Sequence, residues 1–312
     1  MGKFIFKRLL QLIVVLFVVS VIIFVMVRLS ATDPVAVILG GKQTSPEVIA
    51  NVRAKFKLDL PPLEQYFSWV SGMLRGDFGI GYKYQQPVAE LIATRLPVTL
   101  GLVALGSFMA IIMAIPLGII CALKRNTIVD RTISITSLVL VSCPPFLTSI
   151  IMILVVTNFW PTFPITGSYA TFGQYLQRIC LPAIALAFSM IALSARVTRT
   201  SMIEQLQAKY TETGIAKGMP HKTVVYRHAL KNAIIPVITV ASIQIGSMIV
   251  GAVLVENVFS LAGLGALLVD SIKASDYPLV QGITMLMVVI FLIISTVVDM
   301  LYAAIDPRIR NK

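Results

Sequence analysis

Six stretches of this sequence run for 17 to 28 residues without one charged side chain: residues 9–27, 96–123, 132–158, 179–195, 232–255 and 277–298. At 1.5 Å per residue, a helix of about 20 residues crosses the roughly 30 Å hydrocarbon core of a bilayer. Inside that core every backbone N–H and C=O must be satisfied within the segment, which a helix does and an open strand does not. The expected fold class is therefore an all-α membrane protein with six transmembrane helices. Only 13% of the 312 residues are charged, against about 25% in a soluble domain, so a solvent other than water must cover much of the surface.

Prolines mark the irregular spans. Pro144 and Pro145 fall in the middle of the third stretch. Its halves are too short to span alone, so one kinked helix is expected. Pro116 is expected to bend the second helix, and Pro182 sits near the start of the fourth and shortest stretch. The first stretch has a basic approach (Lys3, Lys7, Arg8) and small residues after it (Ser30, Ala31), as a signal peptide would. It is longer than a usual signal core and more spans follow, which favours an uncleaved helix.

Basic residues give the orientation. Of the 26 Lys and Arg, sixteen lie in the N-terminus, residues 124–131, residues 196–231 and the C-terminus, whereas the short opposite loops hold only Arg178 and Lys273. The long first loop, with eight basic and six acidic residues, does not count in the positive-inside rule. Both termini are thus expected on the cytoplasmic side, and the net charge of +12 reads as topology rather than a footprint for nucleic acid. The chain then divides into a first transmembrane helix (1–28), an extracytoplasmic loop region (29–95), a five-helix core (96–306) that includes a cytoplasmic loop at 196–231, and a cytoplasmic tail (307–312). Within the outer loop, residues 45–58 read as an amphipathic helix, with Pro46 early and Val48, Ile49, Val52 and Phe56 at helical spacing. Residues 63–74 carry Tyr66, Phe67, Trp69 and Val70, expected to form a cap or to lie on the membrane surface.

Several chemistries lack their residues. No span has an ionisable group in its interior, as ion-coupled transporters usually require; Asp299 lies at the end of the last one. Gly40-Gly41-Lys42 is followed by Gln43 where a phosphate loop needs Ser or Thr. Cys121, Cys143 and Cys180 sit in or beside apolar runs without metal-ligand spacing, and His221 and His228 have no ligand partners nearby in sequence. No motif for a membrane protease or hydrolase is present. What remains is a pore-like subunit with neither a motor nor a coupling ion, so no catalytic, metal or cofactor residue is expected in it.

Residues 201–231 read SMIEQLQAKYTETGIAKGMPHKTVVYRHALK. Met202, Ile203, Leu206 and Tyr210 fall on one helical face, with Glu204, Gln205, Gln207 and Lys209 facing away. Small residues follow at Gly214, Ala216 and Gly218, and Pro220 starts a second helical run toward Asn232 and Pro236. An amphipathic helix with a small-residue tip, held between two spans, suits docking into a groove on a partner.

With Ala216, Gly218, Asn232 and Pro236 in place, this stretch resembles the "EAA" coupling loop of ATP-binding-cassette importer permeases. Other segments resemble the peptide/nickel branch of that family. They are Leu74-Arg75-Gly76-Asp77-Phe78-Gly79, Pro87-Val88, Arg95-Leu96-Pro97-Val98-Thr99-Leu100, Asp276-Tyr277-Pro278-Leu279-Val280-Gln281 and Asp306-Pro307-Arg308-Ile309-Arg310. The resemblance covers nearly the whole chain. It departs from the family pattern at Glu212, at Gly214, at residues 142–146 and at residues 260–265.

The resemblance implies an importer permease fold in a prokaryotic cytoplasmic (inner) membrane. It implies a related second permease as partner, two ATP-binding subunits on the cytoplasmic side, and an extracytoplasmic substrate-binding protein. ATP and Mg would belong to the ATPase subunits, and the chain itself would be non-catalytic. Ile203, Glu204, Leu206, Tyr210, Glu212, Thr213, Gly214, Ala216 and Gly218 would then form the contact with an ATPase subunit. The cargo implied is a di- or oligopeptide. Nickel or a metal chelate is the alternative within the branch, and a stand-alone channel is the alternative outside it.

Overall fold

The computed structural model describes residues 2–29, 32–40, 44–165 and 170–305. Ser30-Ala31, the Gly41-Lys42-Gln43 segment, the Asp306–Arg310 motif, the 307–312 tail and the side chains of Lys3, Lys7 and Asp299 lie outside what is described. In chain order the helices are α1 Gly2–Arg28, α2 Pro34–Ile38, α3 Pro46–Lys55, α4 Pro62–Leu74, α5 Val88–Leu123, α6 Ile128–Ser142 and α7 Pro145–Phe159. They continue with α8 Phe172–Leu206, α9 Lys209–Ala216, α10 His221–Thr223, a π-helical turn Val224–Ala229, α11 Leu230–Val258, α12 Leu264–Lys273 and α13 Tyr277–Ile305. Among the described residues there is no named strand, only an isolated bridge between Ile80 and Pro87.

Five of these helices are long and apolar enough to cross a membrane, and the count reaches six if α6 and α7 form one broken span. That pair corrects the expectation of a single kinked helix: the two are bent by 110°. Each of two consecutive prolines pushes the residue before it out of the α region. Cys143 is accordingly extended at ψ 119, and Pro144 likewise at ψ 146. Two successive extended residues reorient the chain far more than the loss of one helical hydrogen bond does.

Two further boundaries shift. Arg178, expected in a short loop, lies inside α8 and is buried. The same helix runs on through Arg196 and Arg199 to Leu206, so the loop expected to begin at 196 is helical for its first turns. The fourth stretch, shortest in sequence, belongs to a 35-residue helix.

The chain divides into two compact units, residues 1–99 with 262–292 and residues 100–261 with 293–312. In the first, α4 lies along the end of α1. Ser20 and Tyr66 share a hydroxyl hydrogen bond of 2.8 Å, and the Phe24 ring meets Tyr66 edge-on at 5.4 Å. The Asp276–Gln281 motif meets a segment 193 residues earlier in the chain, between two of the outer-loop motifs. Buried Asp276 accepts from Lys83 N at 2.8 Å, and Tyr82 packs edge-on against both Phe56 and Tyr277. Burial, with help from the Asp276 carboxylate and Tyr277, pushes the Tyr82 hydroxyl well above its ordinary pKa. Thr99 Oγ1 accepts from Leu264 N at 2.8 Å and so satisfies an orphan amide at the start of α12.

In the second unit α8 packs against α6, α7 and α11. Its most apolar window is 67% buried within the chain, against 11% for α1, so α8 is a core helix and α1 is largely exposed. Small side chains make that possible: Ala183, Ala185, Ala187, Ala192, Ser194 and Ala195 all lie on its buried face. In a membrane, where apolar surface gains nothing by leaving lipid, close approach and interhelical hydrogen bonds hold helices together. Gly118 of α5 allows one such close approach, since a Cβ there would come within 2.7 Å of Ala195 O and would strike Thr198.

Candidate functional site

The elbow between α8 and α11 is built by local chemistry. α8 ends at Gln207, and Ala208 turns extended at ψ 143. Thr211 Oγ1 then donates to Gln205 O at 2.7 Å, capping one of the carbonyls that the helix end leaves open. The Tyr210 hydroxyl donates to Gln205 Oε1 at 2.8 Å and accepts from Asn232 Nδ2 at 3.1 Å, which ties α9 to α8 and α11 at once. α9 stops at Gly218, whose φ of +78° is a left-handed conformation that glycine adopts without penalty. Gly218 N bonds to Ile215 O at 2.9 Å and Met219 N to Gly214 O at 3.2 Å. The Met219 side chain folds back over Gly214 into space that a Cβ would fill.

These bonds divide the sequence-predicted residues into two groups. Ile203 and Leu206 are half-buried and pack on a core cluster of Ile119, Ala122, Met202, Val225, Ala229 and Ala233. Gly214 is buried with Thr211 on the inner face of α9, so its small size admits this chain's own Met219. Glu204, Tyr210, Glu212, Thr213, Ala216 and Gly218 are exposed. Ile215, not singled out in the sequence, is an apolar side chain 55% exposed on the same short helix. Its signal was there to find: a lone apolar residue in a helix whose i, i+3 pair Thr211–Gly214 faces inward. Gln205 and Met219 were also missed, because neither has a pattern that announces its role.

The other polar feature of this unit is an ion pair beneath the elbow. Arg199 grips Asp130 with two hydrogen bonds, Nε to Oδ1 at 2.6 Å and Nη2 to Oδ2 at 2.7 Å. Asn126 N and Ser134 Oγ also donate to the carboxylate, at 3.0 and 3.4 Å. The Asp130 side chain is 4% exposed and that of Arg199 27%. This planar two-point contact fixes the start of α6 to the helix that leads into the elbow. Among the described residues no group of three or more His, Cys, Asp or Glu side chains could hold a metal ion.

Several helices long and apolar enough to cross a membrane, with a short, partly exposed helix between two of them, define a multi-pass membrane protein. The chain belongs to the family described as "Binding-protein-dependent transport system inner membrane component", whose model matches residues 114–311. The model of the family's N-terminal part matches residues 1–103. It is thus an inner-membrane permease component of an ATP-binding-cassette importer of the peptide/oligopeptide family, a class of transport subunits and not of enzymes. Among its relatives is the probable peptide ABC transporter permease protein y4tP of Sinorhizobium fredii, 36% identical over 313 residues that span 99% of this chain and 100% of the relative. The glutathione transport system permease protein GsiC of Escherichia coli is 38% identical over 312 residues, 100% of both chains.

Proposed function

We propose that this chain forms one half of a membrane pathway that moves di- or oligopeptides inward, driven by ATP hydrolysis on partner subunits. A homologous second permease would form the other half, and a substrate-binding protein would deliver cargo to the outer face. The sixteen basic residues on one side support cytoplasmic termini. That orientation puts α9 in the cytoplasm, within reach of an ATPase subunit. Relatives named for peptide and for glutathione, itself a tripeptide, support a peptide cargo.

The observation that carries this reading is the elbow. α9 exposes Tyr210, Thr213, Ile215 and Ala216, and it is tied by the Tyr210 hydroxyl and by Thr211 to the ends of two long helices. A partner that pushes on α9 therefore pushes on α8 and α11 together. Ile203 and Leu206 would stiffen the joint from beneath, and Glu204 and Glu212 would meet basic groups on the partner. Cycles of nucleotide binding would move the elbow, and the helices would alternate between outward- and inward-open arrangements.

The test is uptake of a labelled dipeptide by cells that carry Ala216→Trp in place of the wild-type chain. An exposed site tolerates the larger side chain with a stability change within about 0.5 kcal/mol, so the assembled complex should be recovered intact with uptake lost. Undiminished uptake in that variant would falsify the coupling role. Loss of nickel uptake, rather than peptide uptake, on deleting the chain would overturn the cargo assignment alone.

A further inference from the structure

The first unit contains a cavity of about 810 Å³ that none of the preceding argument uses. Its lining includes the last turn of α1 (Phe24, Val27, Arg28) and the first turn of α13 (Tyr277, Pro278, Gln281). Residues 8–28 and 277–297 are candidate membrane spans, so the end of one and the start of the other fix the cavity at a single membrane interface. Above those turns the wall is made by the C-terminal end of α3 and one side of α4.

The charge around it is one-sided. Arg28, Arg53, Lys55 and Lys57 line it, against Asp33 and Asp77. Both carboxylates are occupied by backbone amides: Asp33 Oδ1 accepts from Val35 N at 3.0 Å and Asp77 Oδ1 from Gly79 N at 2.9 Å. Arg53 reaches Asp59 at 3.4 Å. Among the described residues the other three cations have neutral partners, Arg28 on Gln65, Lys57 on Ser68 Oγ at 3.0 Å, and Lys55 over the Phe56 ring at 5.5 Å. Lys57 also holds φ +55°, a conformation where glycine would be unstrained, so a lysine stands where the backbone alone favours no side chain.

We propose that this cavity binds the head group of an anionic phospholipid. The phosphate would sit among Arg28, Lys55 and Lys57. The acyl chains would run down the lipid-facing side of α1, where Phe17, Val21 and Val25 are exposed. Lipid accounts for what a free anion does not: the pocket lies at the end of two spans and joins cations to an exposed apolar stripe.

The experiment uses the complete transporter, purified in mild detergent and equilibrated with mixed micelles of phosphatidylglycerol and phosphatidylcholine. Bound lipid is then counted by mass spectrometry. A basic residue near an anionic membrane surface contributes about fivefold in affinity, so Arg28→Gln with Lys57→Gln should reduce retained phosphatidylglycerol affinity roughly thirtyfold. Arg28→Lys with Lys57→Arg should keep it. In the wild type, a photoactivatable phosphatidylglycerol should crosslink to peptides that contain residues 24–28 or 53–69, a readout that needs no variant to fold. Equal retention by wild type and the Gln variant, or crosslinks confined to other segments, would overturn the proposal. Complete displacement of the lipid by inorganic phosphate would overturn it in favour of a free-anion site. An unchanged lipid count with weakened capture of the substrate-binding protein would overturn it in favour of a protein contact.

Discussion

Arg199→Met should damage this protein more than Asp130→Asn, although both break the same ion pair. Removing one partner of a buried pair costs about 3–5 kcal/mol because the other charge is stranded. After Arg199→Met the Asp130 carboxylate, 4% exposed, keeps only Asn126 N at 3.0 Å and a long contact from Ser134 Oγ at 3.4 Å. That places the variant at the upper end, about 4 kcal/mol. After Asp130→Asn the Arg199 guanidinium, 27% exposed, can turn toward water, so about 2 kcal/mol is expected. Arg199→Lys keeps the charge but loses one of two hydrogen bonds, about 1–2 kcal/mol. The double variant Asp130→Asn with Arg199→Met leaves no charge stranded and should recover a coupling of at least about 1.5 kcal/mol relative to the summed single effects. Equilibrium unfolding of the purified transporter in mixed detergent, for the wild type and all four variants, measures these differences. Additive single effects, or Asp130→Asn as damaging as Arg199→Met, would refute the reasoning.

Three other outcomes follow from the packing. Gly118→Val should destabilise by about 1–3 kcal/mol, read as a lower unfolding midpoint, because a Cβ there meets Ala195 O at 2.7 Å. Pro144→Ala with Pro145→Ala should let Cys143 return to helix. Spin labels at Ile135 and Leu154, both exposed, should then separate toward the roughly 28 Å of a straight helix, whereas the 110° break holds them far closer. Gly218→Ala meets open space but keeps a positive φ, so it should cost about 1 kcal/mol from backbone strain and leave the contacts of α9 unchanged by hydrogen exchange.

Much of this architecture was legible in the sequence for a simple reason: a bilayer demands about twenty apolar residues in a row, and few other structures do. The helix read over residues 45–58 corresponds to α3, which Pro46 opens; the contact of α4 with α1 through Tyr66 and Phe24 had no signal in the sequence. What was not legible depended on partners distant in sequence. The fourth stretch looks short in the sequence because Arg178 and Arg196 bracket it. Helix α8 carries both, and Arg199 too, since Asp130 lies 69 residues away and no spacing rule predicts that pair. The double proline is plain in the sequence, but its effect is larger than a kink: a kink follows from one missing hydrogen bond, a 110° break from two extended residues. In the elbow, hydrophobic periodicity grouped Ile203 and Leu206 with Tyr210 as one face. The chain break at Ala208 puts the first two against the core and leaves Tyr210 on a separate helix.

The central claim is that α9 is the surface through which ATP-driven motion enters this subunit. It is tested most directly by placing a photoreactive amino acid at Ala216 in the complete transporter and identifying what it captures. The account predicts an adduct with an ATP-binding subunit whose yield changes between nucleotide-free and ATP-bound states, with no such adduct from a probe at buried Met202. Capture of lipid or of no protein from position 216, under conditions where the purified complex still transports, would contradict it.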